Sequence, residues 1–390
     1  MTHSIPDAER RNRLGLRHHL ATPAERIETV AADLVGLHSS DPATPHLSAR
    51  ARVGGFAVPD LERSLYDDHT LIRILGMRRT LFVVPPVLAG IIDAACTKKL
   101  APPERNRLIA MLEDQGVTKN GRRWLDRVGK ATLAALDERG EATATELSAL
   151  VPDLKVKLRF GVGKKWEGEM GVSTRLLFLL ATEGEIVRAR PLGTWLSSQY
   201  RWTRLESWLG APLAHWDAAT ARTELVRAWL RAFGPGTMTD IKWWTGWSLT
   251  ETRAAIAAVH AIEVATVAGP GVVLPDDVAP TPPAAPWARF LPSLDPTVMG
   301  WKDRGWYLGP HAAMLFDRNG NAGPTVWWEG RAIGGWTQRQ DGTIAYRLLE
   351  DPGREGRAIV TAEAAALESW LGGVRVRPRF PTGAEQSLAE

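Results

Sequence analysis

Apolar residues recur at helical spacing early in the chain. Ile27, Val30, Ala31, Leu34 and Leu37 share one face of a helix that starts behind Thr22 and Pro23 and stops at 38–42. A second helix is expected near 60–66, and 71–79 leads into a β-branched run at 80–84 closed by Pro85 and Pro86. Helices followed by short strands return at 128–136, 144–150 and 172–183 with a strand at 185–190. They return again at 219–233, 238–245 and 249–259 with strands at 262–267 and 272–274. In the third copy, Ser248 caps the second of two short helices separated by a turn, the layout of a helix-turn-helix. Three helices and a β-wing make a winged helix, although any single copy also suits an ordinary helical hairpin.

The Pro- and Ala-rich stretch 275–286 reads as a linker. Beyond it, short apolar runs alternate with turns at Asn319-Gly320, Glu329-Gly330 and Asp341-Gly342, the pattern of tight hairpins in an antiparallel sheet or small barrel. A helix is expected at 362–371, and the tail 380–390 holds too little apolar surface to order itself. The chain thus reads as α+β: three tandem winged-helix units (1–123, 124–215, 216–275) followed by a C-terminal antiparallel β-barrel or sheet domain (287–380). Its 390 residues exceed the roughly 250–300 at which one hydrophobic core stops growing, which agrees with several units.

Composition narrows the function. Hydrophobic residues make up 44% without any run long enough to span a bilayer, and the N-terminus lacks the apolar core of a signal peptide, so a cytoplasmic, nucleoid-associated protein is expected. Its one cysteine, Cys96, cannot form an internal disulfide, and no Cys/His spacing suggests a metal. No P-loop, dinucleotide fingerprint, nucleophile elbow or metalloprotease motif is present, so neither a cofactor nor a metal is expected. The net charge is +4, yet 38 of the 48 basic residues are arginine. Arginine's planar fork suits phosphates and base faces; a GC-rich genome produces the same bias. The 17 tryptophans, all at or beyond Trp124, are expected mostly in packing.

Two regions could carry chemistry. At Gly36-Leu-His-Ser-Ser-Asp-Pro42 the first helix ends in polar groups: His38 could take a proton from water while Ser40 holds that water, or the same residues could simply terminate the helix, with Ser39, Ser40 and Asp41 as caps. The stretch 154–166 holds four of the ten lysines, Lys164 and Lys165 among them, in a glycine-containing connector suited either to a phosphate backbone or to solvent.

In order along the chain stand Gly36-Leu37 with Asp41-Pro42, Leu47-Ser48 with Arg52, Met77-Arg-Arg-Thr-Leu81, Gly234-Pro235, Trp244-Thr-Gly246, Leu291-Pro292 with Asp295, Gly300 with Arg304, and Gly330-Arg331 with Gly334 and Trp336. This set resembles the winged-helix DNA glycosylases of the AlkZ/YcaQ type, which combine three winged helices with a C-terminal β-barrel. The chain departs from them twice. His38-x-Ser40 replaces the usual Gln-x-Gln or Gln-x-Asp, and Arg79 stands where the family usually has glycine. The resemblance implies a monomeric, monofunctional repair enzyme that hydrolyses the N-glycosidic bond of alkylated purines in double-stranded DNA. His38 would then be the base, Ser40 the water or sugar positioner and Asp41 an electrostatic stabiliser. Arg52, Arg78, Arg79, Lys164, Lys165, Lys302 and Arg304 would hold the DNA backbone. A non-catalytic winged-helix regulator or architectural protein is the alternative.

Overall fold

The structure, a computed structural model, describes residues 3–161, 163–376 and 381–389. Three small sheets follow one another, each fed by short helices. In the first, Leu81–Val84 lies between Leu37–His38 and Ile72–Leu75, antiparallel to both, with helices Ile27–Asp33, Ala43–Arg50 and Val58–Tyr66 packed around it. In the second, Tyr200–Arg204 lies between Glu141–Thr143 and Ile186–Pro191, with helices Gly121–Arg139, Ala144–Leu150 and Val172–Thr182. The third pairs Ile262–Thr266 with Gly269–Val273 behind helices Ala218–Phe233, Met238–Thr245 and Leu249–Ala258. Capping boxes start three of these helices: Thr143 with Glu146, Thr237 with Asp240, and Ser248 with Glu251.

The N-terminus belongs to the third sheet, because His3–Ser4 adds to Ile262–Thr266 as a parallel edge strand. The helix Asp7–Arg17 pins the expected linker: Asn12 donates to the carbonyls of Thr281 and Pro282, and Arg13 to those of Asp277 and Ala279. The segment 275–286 is therefore held in place rather than serving as a free tether.

After the linker, Ala288–Leu291, Thr325–Trp328, Arg331–Gln338 and Ile344–Leu348 pair in sequence order into an open antiparallel sheet. Among the described residues no barrel closes, so the sheet alternative holds here and the barrel does not. The helix Gly353–Leu371 covers this sheet. Two of the short apolar runs expected as strands, 305–308 and 313–316, fall on single helical turns instead, Gly305–Leu308 and Ala312–Leu315. The tail also forms a helix, Gly383–Ala389, with Ala384 and Glu385 buried; Phe380 lies outside the described residues. One hydrophobic cluster runs from the first sheet through the third group of helices into the C-terminal sheet, and Trp229, Trp244, Trp301 and Trp327 sit within it.

Candidate active site

The motif loop is set by its glycine. Gly36 has φ +110°, and a Cβ there would lie 2.8 Å from Val84 Cγ1, so only glycine lets the chain turn into the strand Leu37–His38. Leu37 is fully buried beneath the sheet, and His38 pairs with Phe82 across the ladder. The Ser39 amide donates to the Leu81 carbonyl at 2.7 Å and ends the ladder. Ser40 Oγ then accepts from the Leu81 amide at 3.3 Å, and Asp41 Oδ1 from the Ala43 amide at 2.8 Å, which starts the helix Ala43–Arg50. The loop therefore presents Ser40 and Asp41 half-buried at the strand-to-helix corner.

His38 does not fit the role of base. Its ring is only 4% exposed and stands edge-on to Phe82 at 5.4 Å. Burial, reinforced by the positive charge of Arg78 and opposed by Asp295, pushes its pKa down to about 3, so the ring is neutral near pH 7. Its Nδ1 accepts a long hydrogen bond from the Ser40 amide at 3.5 Å. With Nδ1 in that accepting role, the ring's proton would sit on Nε2, which would then be a donor.

Next to the motif is a pair of arginines without acids. The turn Met77–Arg79 joins the strands Ile72–Leu75 and Leu81–Val84, and both Arg78 and Arg79 take left-handed backbone, at φ 51° and 62°. This strained turn lays the Arg78 guanidinium 3.9 Å from the centre of the Trp243 ring. Arg304 lies 5.0 Å from the same ring and 4.3 Å from that of Phe316. Among the described residues neither arginine has a carboxylate partner, and Arg78 Nε is buried without a hydrogen bond. Burial and the charge of Arg304 hold the Arg78 pKa down to about 10. Two uncompensated cations against one aromatic ring form a ready anion seat.

The other expected DNA contacts divide. Arg52 is fully buried and pairs through two nitrogens with the equally buried Asp295, at 2.8 and 2.6 Å. It also donates to the His18 carbonyl and to Thr297 Oγ1. Arg52 is thus a structural tie between the first helices and the C-terminal region, with no face left for DNA. Arg79 pairs with Glu104 at 2.8 Å, a carboxylate it shares with Arg107. Lys302 is exposed beside the Arg304 turn, while its amide donates to Asp240. Lys164 and Lys165 are exposed on the tip of the hairpin Lys157–Phe160/Gly168–Gly171 rather than in a plain connector, and among the described residues no hydrogen bond joins that tip to the motif loop. Sequence reasoning passed over Trp243 as one more packing tryptophan; its placement on the helix Met238–Thr245, next to Lys242, was the available signal.

Among the described residues no cluster of metal-ligating side chains occurs, and no helix is long and apolar enough to cross a membrane. The chain belongs to the AlkZ-like DNA glycosylase family, whose model matches residues 31–370. Its fold is similar to that of the Streptomyces sahachiroi DNA glycosylase AlkZ, with a TM-score of 0.72 and 22% identity over 97% of this chain and 100% of that one. No curated protein matches.

Proposed function

We propose that the protein is a monofunctional DNA glycosylase that removes purines alkylated at N7 or N3, bulky adducts and crosslinked bases included. In this reading three tandem winged-helix units (1–123, 124–215 and 216–275), with the C-terminal domain (287–380), grip damaged duplex DNA as a monomer. The observation that carries it is that a glycosylase-family chain holds the acid-free arginines Arg78 and Arg304 on one tryptophan, with the charge of Arg78 acting on His38 of the motif.

Alkylation gives the purine a positive charge, so the C1′–N9 bond breaks with its electron pair going to the base, and little acid assistance is needed. The site must then stabilise oxocarbenium character at the sugar and deliver water to C1′. Asp41, the only anion of the motif, faces that charge and takes the proton released from the water. Ser40 accepts from Leu81 through Oγ and directs its own O–H toward the water or sugar. His38 serves as a neutral Nε2–H donor in place of the base role first assigned to it, a task a glutamine amide also performs. Arg78, Arg304 and Lys302 hold backbone phosphates, with Lys164 and Lys165 as outlying contacts. No lysine stands in the motif, so Schiff-base chemistry is not proposed.

The enclosure of His38 is the observation that favours the alternative, a DNA-binding protein without catalysis. The two readings part when duplex DNA bearing N7-methylguanine is incubated with the protein. Free 7-methylguanine in the soluble fraction supports the glycosylase, whereas tight binding with no base released, for methyl and bulky adducts alike, supports the alternative.

A further inference from the structure

Between the first and second sheets lies a cavity of about 190 Å³, and Ser40 is the only motif residue in its wall. Its apolar sides are Leu75, Phe178, Ile186 and Trp202. Four charged side chains also line it. Two have an ion-pair partner: Asp93 has Lys98 at 3.3 Å and Arg79 has Glu104 at 2.8 Å. The other two, Arg73 and Arg188, have no carboxylate partner among the described residues. Arg73, 3% exposed, donates to Ser39 Oγ and Tyr66 Oη and stacks on Tyr200 at 4.7 Å. Arg188 stacks on Tyr200 at 5.5 Å and Trp202 at 5.1 Å, and its Nη1 is buried with no hydrogen-bond partner.

Burying the Arg73 guanidinium without an acid is costly, and holding the half-buried Arg188 against the same tyrosine ring adds their mutual repulsion. Burial and Arg73 accordingly push the Arg188 pKa down to about 10. Nothing in the fold requires such a pair, since an apolar residue at 188 would pack against Tyr200 and Trp202 without the penalty. An anion in the cavity removes the penalty, and the apolar walls demand that it carry an apolar body.

We infer that this cavity binds a small ring-bearing carboxylate, its head group paired with Arg188 and its ring against Phe178, Ile186 and Trp202. The site is separate from the Arg78–Trp243–Arg304 seat and does not depend on the glycosylase reading.

Calorimetric titration of the full chain with 1-naphthoate tests this, with 1-naphthamide and inorganic phosphate as controls. The expected result is one-to-one binding of 1-naphthoate, with both controls at least tenfold weaker. R188Q should weaken 1-naphthoate at least tenfold while melting at or above the wild-type temperature, because it removes an uncompensated half-buried cation. If R188Q fails to fold, R188K, which keeps the charge but not the planar fork, carries the test and should weaken binding several-fold. Absent 1-naphthoate binding, phosphate binding as tightly, or folded Arg188 variants binding like wild type would each overturn the inference. Loss of undamaged-duplex binding in R188Q would overturn it too, by making the cavity a backbone-phosphate site.

Discussion

Asp295→Asn tests the buried tie between the first unit and the C-terminal region. The carboxylate accepts from Arg52 Nη1 at 2.8 Å and Nη2 at 2.6 Å, from Ser48 Oγ at 2.6 Å and from the Thr297 amide at 2.9 Å. Both members of the ion pair have 0% exposure. Asparagine keeps the shape but turns an amide toward donors and strands the Arg52 cation away from water. Breaking one side of such a pair costs about 3–5 kcal/mol, a large share of the roughly 5–15 kcal/mol that holds a domain together. Replacing both partners with apolar residues, Arg52→Met with Asp295→Leu, should recover most of that loss. Urea unfolding followed by tryptophan fluorescence reads both effects, and duplex affinity of the double variant should equal wild type, since Arg52 reaches no DNA. A single-variant loss below about 1 kcal/mol, or a duplex-binding defect in a folded double variant, would refute the reasoning.

Four further predictions concern the motif and its neighbours. His38→Gln should keep base excision within about fivefold, and His38→Ala should lose on the order of 10²-fold, as for one positioned donor. If both variants lose equally, the donor role fails. A histidine with its folded pKa depressed to about 3 binds fewer protons folded than unfolded, so stability is constant above about pH 7 and falls as pH drops below 6.5; His38→Gln should flatten part of that fall in pH-dependent melting. Arg79→Gly, which relieves a left-handed arginine at the cost of a half-exposed ion pair with Glu104, should raise unfolding free energy by about 1 kcal/mol in urea titrations; a loss of that size would show the ion pair to dominate. Arg78→Ala with Arg304→Ala should lower the slope of log K against log salt for duplex binding by about 2, and an unchanged slope would remove both from the backbone contacts.

Local pattern carried much of the architecture. The helices Ala144–Leu150 and Met238–Thr245 fall where their apolar spacing and capping residues put them, and the β-branched run 80–84 yields the strand Leu81–Val84. The runs 305–308 and 313–316, observed as helical turns, read as strands because so short an apolar run has no period that separates strand from helix. The site was legible as a location but not as chemistry. Arg52 looked like a phosphate ligand because its partner Asp295 lies 243 positions away, and burial, which decides between the two roles, is set by that tertiary pairing. His38 likewise looked like a base until the Phe82 edge and the Arg78 charge closed around it. The Arg78–Trp243–Arg304 seat joins three distant segments, so no window of sequence contains it.

In the proposed function the Ser40–Asp41 corner is the reacting centre of a DNA glycosylase. Asp41→Asn tests this, because asparagine keeps the oxygen that accepts from the Ala43 amide while losing the charge. Under single-turnover conditions on duplex DNA with one bulky N7-alkylguanine, the account predicts alkali-induced strand breaks at the lesion with wild type. It predicts at least 10²-fold slower breakage with Asp41→Asn at unchanged duplex affinity. Equal rates for the two proteins, or an intact strand with wild type, would contradict it.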